Sequence, residues 1–301
     1  MIKVYFPDGH LERPVWDSLV EAGYKLHKSK RGYMISVDHP KIVFKQVRPQ
    51  IMPFYVMMGR GDAGFTGEDI LENSKLRYSL NNIEIVERLP LRPTKLVIAI
   101  SEEVYPDVKS IDDFKQAVGN RQVMFASEFP ELARVYAEKV GLNAIVFDPI
   151  GKTEAALLPP EPEADLILEV TEFGTTLREN GCRIIDVFRD PVYSVFIANK
   201  ESYSNTEKRN LMNNLITDVR EVLSSKNLVS LLFNVPDEND IPIIKDFLVK
   251  EGFNPTISTL AGGGVAMHII LDRSKVKFLK PKLRELGARR IATSPVITFG
   301  D

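Results

Sequence analysis

The stretch EVTEFGTTLRENG, Glu169 to Gly181, carries the residue types of an anion cradle. An apolar run, DLILEV, feeds a Gly174-Thr175-Thr176 turn, and the turn opens a short helix stopped by Gly181. Gly174 lets the backbone approach a ligand closely, while the two threonines offer hydroxyls and N–H groups at a helix start, where the dipole favours phosphate. Glu169 and Glu172 would repel a bare phosphate unless they face a ribose diol or a metal ion bridging phosphates. A sugar phosphate reconciles the two ends of the loop. The competing reading is an ordinary helix start, with Thr175 as its N-cap and the glutamates solvated.

Three further places hold candidate chemistry. In GRGDAGFTGED, Gly59 to Asp69, the glycines Gly64 and Gly67 bracket a strand end, and Asp62 or Asp69 could accept hydroxyls; the same spacing also reads as a plain turn. His10, in DGHL, follows the first strand and so sits at a carboxyl end, where open α/β sheets bind ligands. Glu154, in IGKTEAAL, follows another strand that ends near Ile150. His268 lies within a strand pattern and reads as structural. No Ser/His/Asp order, paired catalytic carboxylates or Walker loop stands out, so chemistry here relies on positioning and charge stabilisation.

The elements around these residues alternate. IKVYFP reads as a strand, ERPVWDSLVEAGYKL as an amphipathic helix with Val15, Leu19 and Ala22 on one face, and KIVFKQV as a second strand. From about Leu96 a second unit begins: strand KLVIAIS, helix SIDDFKQAV with Ser110 as N-cap, strand QVMFAS, a helix ending near Gly141, then strands NAIVFDPI and ADLILEV. After the opening loop, CRIIDVFRD and YSVFIANK read as strands that return the chain to the first unit. The pattern predicts an α/β protein of two lobes with a cleft between: lobe I from 1–95 and 182–203, lobe II from 96–181 with the anion loop. A long polar-faced helix follows, and then βαββαβ order, the ferredoxin-like plan, within 204–301.

Composition narrows the function class. With 39 basic and 41 acidic side chains in 301 residues the net charge is −2, without the excess that marks nucleic-acid or membrane-surface binding. The single cysteine, Cys182, precludes an intrachain disulfide, and no His/Cys spacing fits zinc. No apolar run approaches the roughly 20 residues of a membrane helix. The opening IKVYF reads as a strand rather than a leader, so the expected location is the cytoplasm.

Several segments in this order resemble one family: PDGHLERPVWDSLVEAGY, VRPQIMPFYVMMGRGDAGFTGED, KLVIAI, FASEFPELARVYAEK, IGKTEAA, ADLILEVTEFGTTLRENG, and the C-terminal NVPDEN, NPTIS and LGARRI. The chain resembles ATP phosphoribosyltransferase in its long form with a regulatory domain. The resemblance implies two periplasmic-binding-protein-like lobes, a ferredoxin-like regulatory domain, and displacement of pyrophosphate from phosphoribosyl pyrophosphate by N1 of ATP, with Mg2+, as the first step of histidine biosynthesis. It places the phosphoribosyl-binding loop on Glu169, Gly174, Thr175, Thr176 and Leu177, with Glu169 also a metal ligand. Nucleotide contacts fall on Arg48, Gly67, Glu154 and His10. Effector contacts, for histidine, fall on Asn234 and Thr256, and the family assembles as homo-oligomers, hexamer or dimer.

The chain departs from the family pattern at several contacts. Asp8-Gly9-His10-Leu11 stands where Lys-Gly-Arg-Leu is usual, and Met124-Phe125-Ala126-Ser127 where Arg-Ile-Ala-Thr is usual. Ile51 replaces an aspartate, and Glu172-Phe173 replaces Ser-Thr before the glycine. The alternative reading is a paralogue that binds a small ligand in the cleft without catalysis.

Overall fold

The computed structural model describes residues 1–29, 32–79 and 81–300. The chain divides into two compact units, Met1–Asp17 with Tyr24–Ile216, and Ser18–Gly23 with Thr217–Asp301. The division at 216/217 falls inside the helix Thr206–Ser225, later than the expected boundary at 204.

The first unit is built on β1 (Ile2–Pro7), β2 (Leu26–Lys28), β3 (Met34–Val37), β4 (Ile42–Val47), β5 (Ala63–Gly67), β6 (Ile83–Ser101), β7 (Val123–Ala126), β8 (Ala144–Phe147), β9 (Leu166–Thr171) and β10 (Cys182–Asn199). Among the described residues these form one mixed sheet in the order β2-β3-β4-β1-β5-β10-β6-β9-β7-β8. The triples β4-β1-β5 and β9-β7-β8 are parallel, and the two long strands β6 and β10 run antiparallel between them. The residues read as two strands, CRIIDVFRD and YSVFIANK, are one strand whose register against β6 shifts on either side of Val192.

Helices cover the sheet: α1 (Glu12–Glu21), α2 (Met52–Met57), α3 (Glu68–Tyr78), α4 (Ile111–Val118), α5 (Pro130–Val140), α6 (Thr175–Glu179), α7 (Lys200–Ser204) and α8 (Thr206–Ser225). Ser110 caps α4 as its sequence predicts, its Oγ accepting the Asp113 N–H at 3.1 Å. Alternation along β6 buries both faces: Leu96, Ile98 and Ile100 pack with Phe114, Phe125 and Tyr136, while Val97 and Ala99 pack with Ile167 and Leu177. Around the middle strands β1 and β10, Tyr5, Met52, Val56, Leu71, Val195 and Ile197 form a separate cluster. Helix α1 ends at Glu21 and Leu26 belongs to β2, so the expected helix through Leu26 is too long. Gly23, at φ 98°, takes a conformation that an L side chain resists and that ends a helix.

The second unit contains β11 (Leu228–Val235), α9 (Asp240–Lys250), β12 (Thr256–Thr259), β13 (Val265–Asp272), α10 (Val276–Glu285) and β14 (Arg289–Pro295). Its sheet order, β12-β13-β11-β14, with every pair antiparallel, is the ferredoxin-like arrangement that the βαββαβ order predicts. Val229, Leu231, Phe233 and Val235 face Ile244 and Leu248 of α9 and Leu279 and Leu283 of α10 in a closed core.

Candidate active site

The parallel strands end where chemistry is expected. At the end of β9 the Thr171 Oγ1 accepts the Gly174 N–H at 2.7 Å, folding the chain into a tight turn. Gly174 sits at φ 69°, and a Cβ there would stand 2.9 Å from the Ile184 methyl, so both conformation and space require glycine. Gly174 is the N-cap of α6, and Thr175 and Thr176 are its first two helical residues. Thr175 is therefore not the cap that the competing reading made it. Its backbone N–H and that of Thr176 belong to the first turn, whose donors have no partner within the helix.

Thr175 and Thr176 line a cavity of about 480 Å3 together with His10, Gly67, Asp69, Glu128, Glu169, Glu172 and Phe173, with Thr94, Tyr193 and Ser194 from the two long strands. A neighbouring cavity of about 520 Å3 is lined by Arg48, Asn73, Ser74, Arg77, Tyr78, Asp148, Ile150 and Gly151. The two share Gln50, Ile70, Glu128 and Phe129, so they are two chambers of one cleft. Each volume is within the range that holds a small-molecule substrate.

Not every expected contact reaches the cleft. Glu169, Thr175, Thr176, Gly67 and His10 converge on the first chamber and Arg48 on the second. The Leu177 side chain is buried in the core, leaving only its backbone for a ligand. Glu154, in a 3-10 turn at Thr153–Leu157, lines neither chamber but acts on Glu169 and Glu128 by charge. Asp62 is fully engaged elsewhere: it accepts the Lys3 N–H at 2.7 Å, the Ser202 hydroxyl at 2.6 Å and the Lys208 ammonium at 2.7 Å, so of the two aspartates considered only Asp69 faces the cleft. Met124 lines neither chamber. Asn234 and Thr256 belong to the second unit, in register with Ala266 and His268 on the sheet face away from its helices. The His268 ring is 2.7 Å from the Ser230 hydroxyl, which fits a structural role.

The carboxylates of the first chamber are perturbed. Burial pushes the Glu169 carboxyl up to about 7; the Val170 N–H, donating at 2.8 Å, opposes this, and the charges of Glu128 and Glu154 add to it. Asp69, 5% exposed, is raised to about 6, again by burial, with the Ile70 N–H at 2.8 Å opposing. Its Oδ1 folds over Gly67, 2.1 Å from where a Cβ would stand, which is why glycine precedes this helix. Burial and the charges of Asp148 and Glu154 raise Glu128. Glu128 and Arg77 had no local signal in the sequence; long-range folding alone brings them to the cleft.

A family model described as ATP phosphoribosyltransferase matches residues 48–221. The ATP phosphoribosyltransferase of Archaeoglobus fulgidus is 68% identical over 254 residues, 84% of this chain and 90% of that protein. Those of Thermodesulfovibrio yellowstonii and Methanocaldococcus jannaschii are each 30% identical over 98% of this chain, and 97% and 99% of their own lengths. A chain of the ATP phosphoribosyl transferase (HisG:HisZ) complex of Thermotoga maritima shares the fold, with a TM-score of 0.60 at 24% identity, over 74% of this chain and 99% of that one. A glycine-threonine loop built at the end of a strand, the cleft it lines and relatives matched nearly end to end lead to one conclusion: the chain belongs to the ATP phosphoribosyltransferase family.

Proposed function

We propose that the cleft carries out the family's reaction, transfer of phosphoribosyl from phosphoribosyl pyrophosphate to N1 of ATP, the first step of histidine biosynthesis. The observation that carries this reading is the Gly174 turn, which sets Thr175 and Thr176 against Glu169 in one chamber. The 5′-phosphate sits on the backbone N–H groups and hydroxyls of Thr175 and Thr176, and Glu169 faces the ribose hydroxyls. N1 of the purine attacks C1′ while the bond from C1′ to the pyrophosphate oxygen breaks. The leaving group is already an anion, so no strong base is needed, and orientation plus charge stabilisation supply the rate.

Magnesium, when bound, neutralises phosphate oxygens. Among the described residues no three His, Cys, Asp or Glu side chains form a cage for a metal, and Mg2+ in phosphoryl sites is typically held by one or two carboxylates plus substrate phosphates. Glu169 is the carboxylate placed for it. Gly67 and His10 line the same chamber and Arg48 the adjoining one, as contacts for the nucleotide, while Glu154 acts from outside through its charge.

In this reading 1–95 with 182–203 and 96–181 are the lobes that flank the cleft, and histidine regulates through Asn234 and Thr256. The protein is cytoplasmic and homo-oligomeric, a hexamer or dimer; among the described residues no helix is long and apolar enough to cross a membrane. The test is incubation of the purified protein with ATP, phosphoribosyl pyrophosphate and magnesium, following formation of phosphoribosyl-ATP. Product formation is expected. Binding of both substrates without product would overturn the reading in favour of a ligand-binding protein.

A further inference from the structure

Charge is divided unevenly between the two chambers. Among the described residues the first chamber presents no lysine or arginine, only His10, against the carboxylates of Asp69, Glu128, Glu169 and Glu172. The second presents two guanidinium groups, Arg48 and Arg77. Arg48 is already paired with Asp8, Nε to Oδ2 at 3.2 Å. Arg77, in the last turn of α3, has its guanidinium carbon 5.8 Å from the centre of the Tyr78 ring, and no carboxylate among the described residues pairs with it. It is a cleft-lining cation with an unfilled planar fork of donors, the shape that matches phosphate oxygens.

The substrates of the proposed reaction need such a cation. A 5′-monophosphate is met by the N–H groups and hydroxyls of the Thr175-Thr176 turn, but a triphosphate carries several more charges than neutral donors alone balance. Neither His10 nor Met124 supplies an arginine, and Met124 lines neither chamber. Asn73 and Ser74, one helical turn before Arg77, add neutral polar groups to the same wall. Asp148 and Glu128 also line this chamber and would repel phosphate, so the phosphates keep to the arginine side and the acids are left to face sugar hydroxyls.

We propose that Arg77, acting with Arg48, binds the triphosphate of ATP in the second chamber, so that the purine meets the phosphoribosyl group at the shared wall of Gln50, Glu128 and Phe129. The proposal rests on the phosphoribosyl-transfer reading and adds to it a specificity residue and a division of labour between chambers. The triphosphate of ATP occupies the arginine chamber and the phosphoribosyl group the threonine chamber, with the purine reaching across the shared wall toward Gly67 and His10. Arg77 supplies from α3 a guanidinium to a cleft whose other chamber has a histidine at position 10.

The test uses the full chain and its Arg77→Gln and Arg77→Lys variants, with melting curves to confirm folding; Arg77 is exposed, so unchanged melting is expected. Binding of ATP, adenosine and inorganic tripolyphosphate is measured by calorimetry, and KM for each substrate by product formation. Loss of a charge-assisted bond in Arg77→Gln is expected to weaken ATP by about 10- to 100-fold. Adenosine affinity and the KM for phosphoribosyl pyrophosphate should stay unchanged, tripolyphosphate should cease to compete with ATP, and Arg77→Lys should recover part of the loss.

An unchanged ATP affinity, or an equal loss for adenosine, overturns the proposal. A rise in KM for phosphoribosyl pyrophosphate alone overturns the chamber assignment, because the arginine then serves pyrophosphate. A wild-type chain that binds ATP but forms no product removes the reaction while the ATP-to-adenosine comparison still decides the role of Arg77. A wild-type chain that binds no ATP overturns both.

Discussion

The side-chain oxygen of Asn73, on α3, accepts the backbone N–H of Glu131 at 2.9 Å and that of Leu132 at 3.3 Å, capping a helix, α5, that starts 57 positions further along the chain. The local N-cap residue, Phe129, has no side chain able to do this. Asn73 and Phe129 both line the second chamber, so this bond fixes one wall of the cleft. Replacing Asn73 by alanine should lower stability by about 1 kcal/mol, the usual worth of an N-cap. It should also raise the KM for ATP. Urea melts and substrate kinetics check the two effects, and Asn73→Asp, which keeps the acceptor, should restore most of both.

Glu169 makes stability depend on pH in an unusual direction for a carboxylate. Its folded value, raised to about 7, exceeds the ordinary 4.5, so its protonated form favours the folded state. That contribution is complete below about 4.5 and is lost as pH rises through about 7. The neutral variant Glu169→Gln should therefore be the more stable protein at pH 8, by up to ~3 kcal/mol, and the difference should vanish by pH 4. Melting temperatures of the two proteins across this range are the measurement. On the proposed role of Glu169, the same variant should lose phosphoribosyl pyrophosphate affinity, because a neutral amide does not hold magnesium as a carboxylate does.

Gly174→Ala forces a β-carbon into left-handed backbone and against Ile184. The backbone term alone costs roughly 1–2 kcal/mol. If the turn instead relaxes, the first N–H groups of α6 swing away from the proposed phosphate position. Either way the KM for phosphoribosyl pyrophosphate should rise more than that for ATP, which steady-state kinetics with each substrate varied in turn would show.

Asp165 supplies a contrasting case, a carboxylate that works away from the cleft. It takes two bonds from Arg121, at 2.6 and 3.1 Å, one from the Tyr105 hydroxyl at 2.7 Å and one from the Met124 N–H at 2.8 Å. Although burial alone would raise it, the Arg121 and Tyr105 bonds hold its carboxyl below the usual range, while Tyr105 is pushed up to about 12. It stands at the amino ends of β7 and β9, roughly 13 Å along the strand from Glu169. Asp165→Ala should lower stability by roughly 2 kcal/mol, discounted for the half-exposed arginine, with turnover per folded molecule unchanged. Because the folded carboxyl is depressed, its contribution is present above the unfolded value near 3.8 and is lost as pH falls below it. The gap between variant and wild type should narrow in acid.

Much of this was legible from the sequence because short-range physics decides it. Val229, Leu231, Phe233 and Val235 alternate with Ser230, Leu232 and Asn234, and that period of two is enough to orient a sheet with one helix-covered face. The Gly174-Thr175-Thr176 turn announced itself because only glycine suits its backbone. The long strands did not, since Pro90, Pro93 and Pro191 lack an N–H and read as breaks; β6 and β10 absorb them as register shifts within continuous strands. Gly23 was a readable helix stop that the apolar spacing through Leu26 obscured. Arg77 was hidden for another reason. A cation in the last turn of a helix already has a local explanation in the helix dipole, and nothing nearby in sequence says that a cleft lies beside it.

The sheet order has a consequence for the way the protein is made. Strand β10 is the last of its ten strands in sequence, yet it lies between β5 and β6 and is the strand through which they are joined. On the ribosome, therefore, both halves of the sheet can be complete while each still presents an open edge, and they become one body only after Asn199 has emerged. Until then β5 and β6 each carry one unpaired edge, a template for any passing strand, and a nascent chain stalled near Gly181 is the form of this protein most in need of a chaperone.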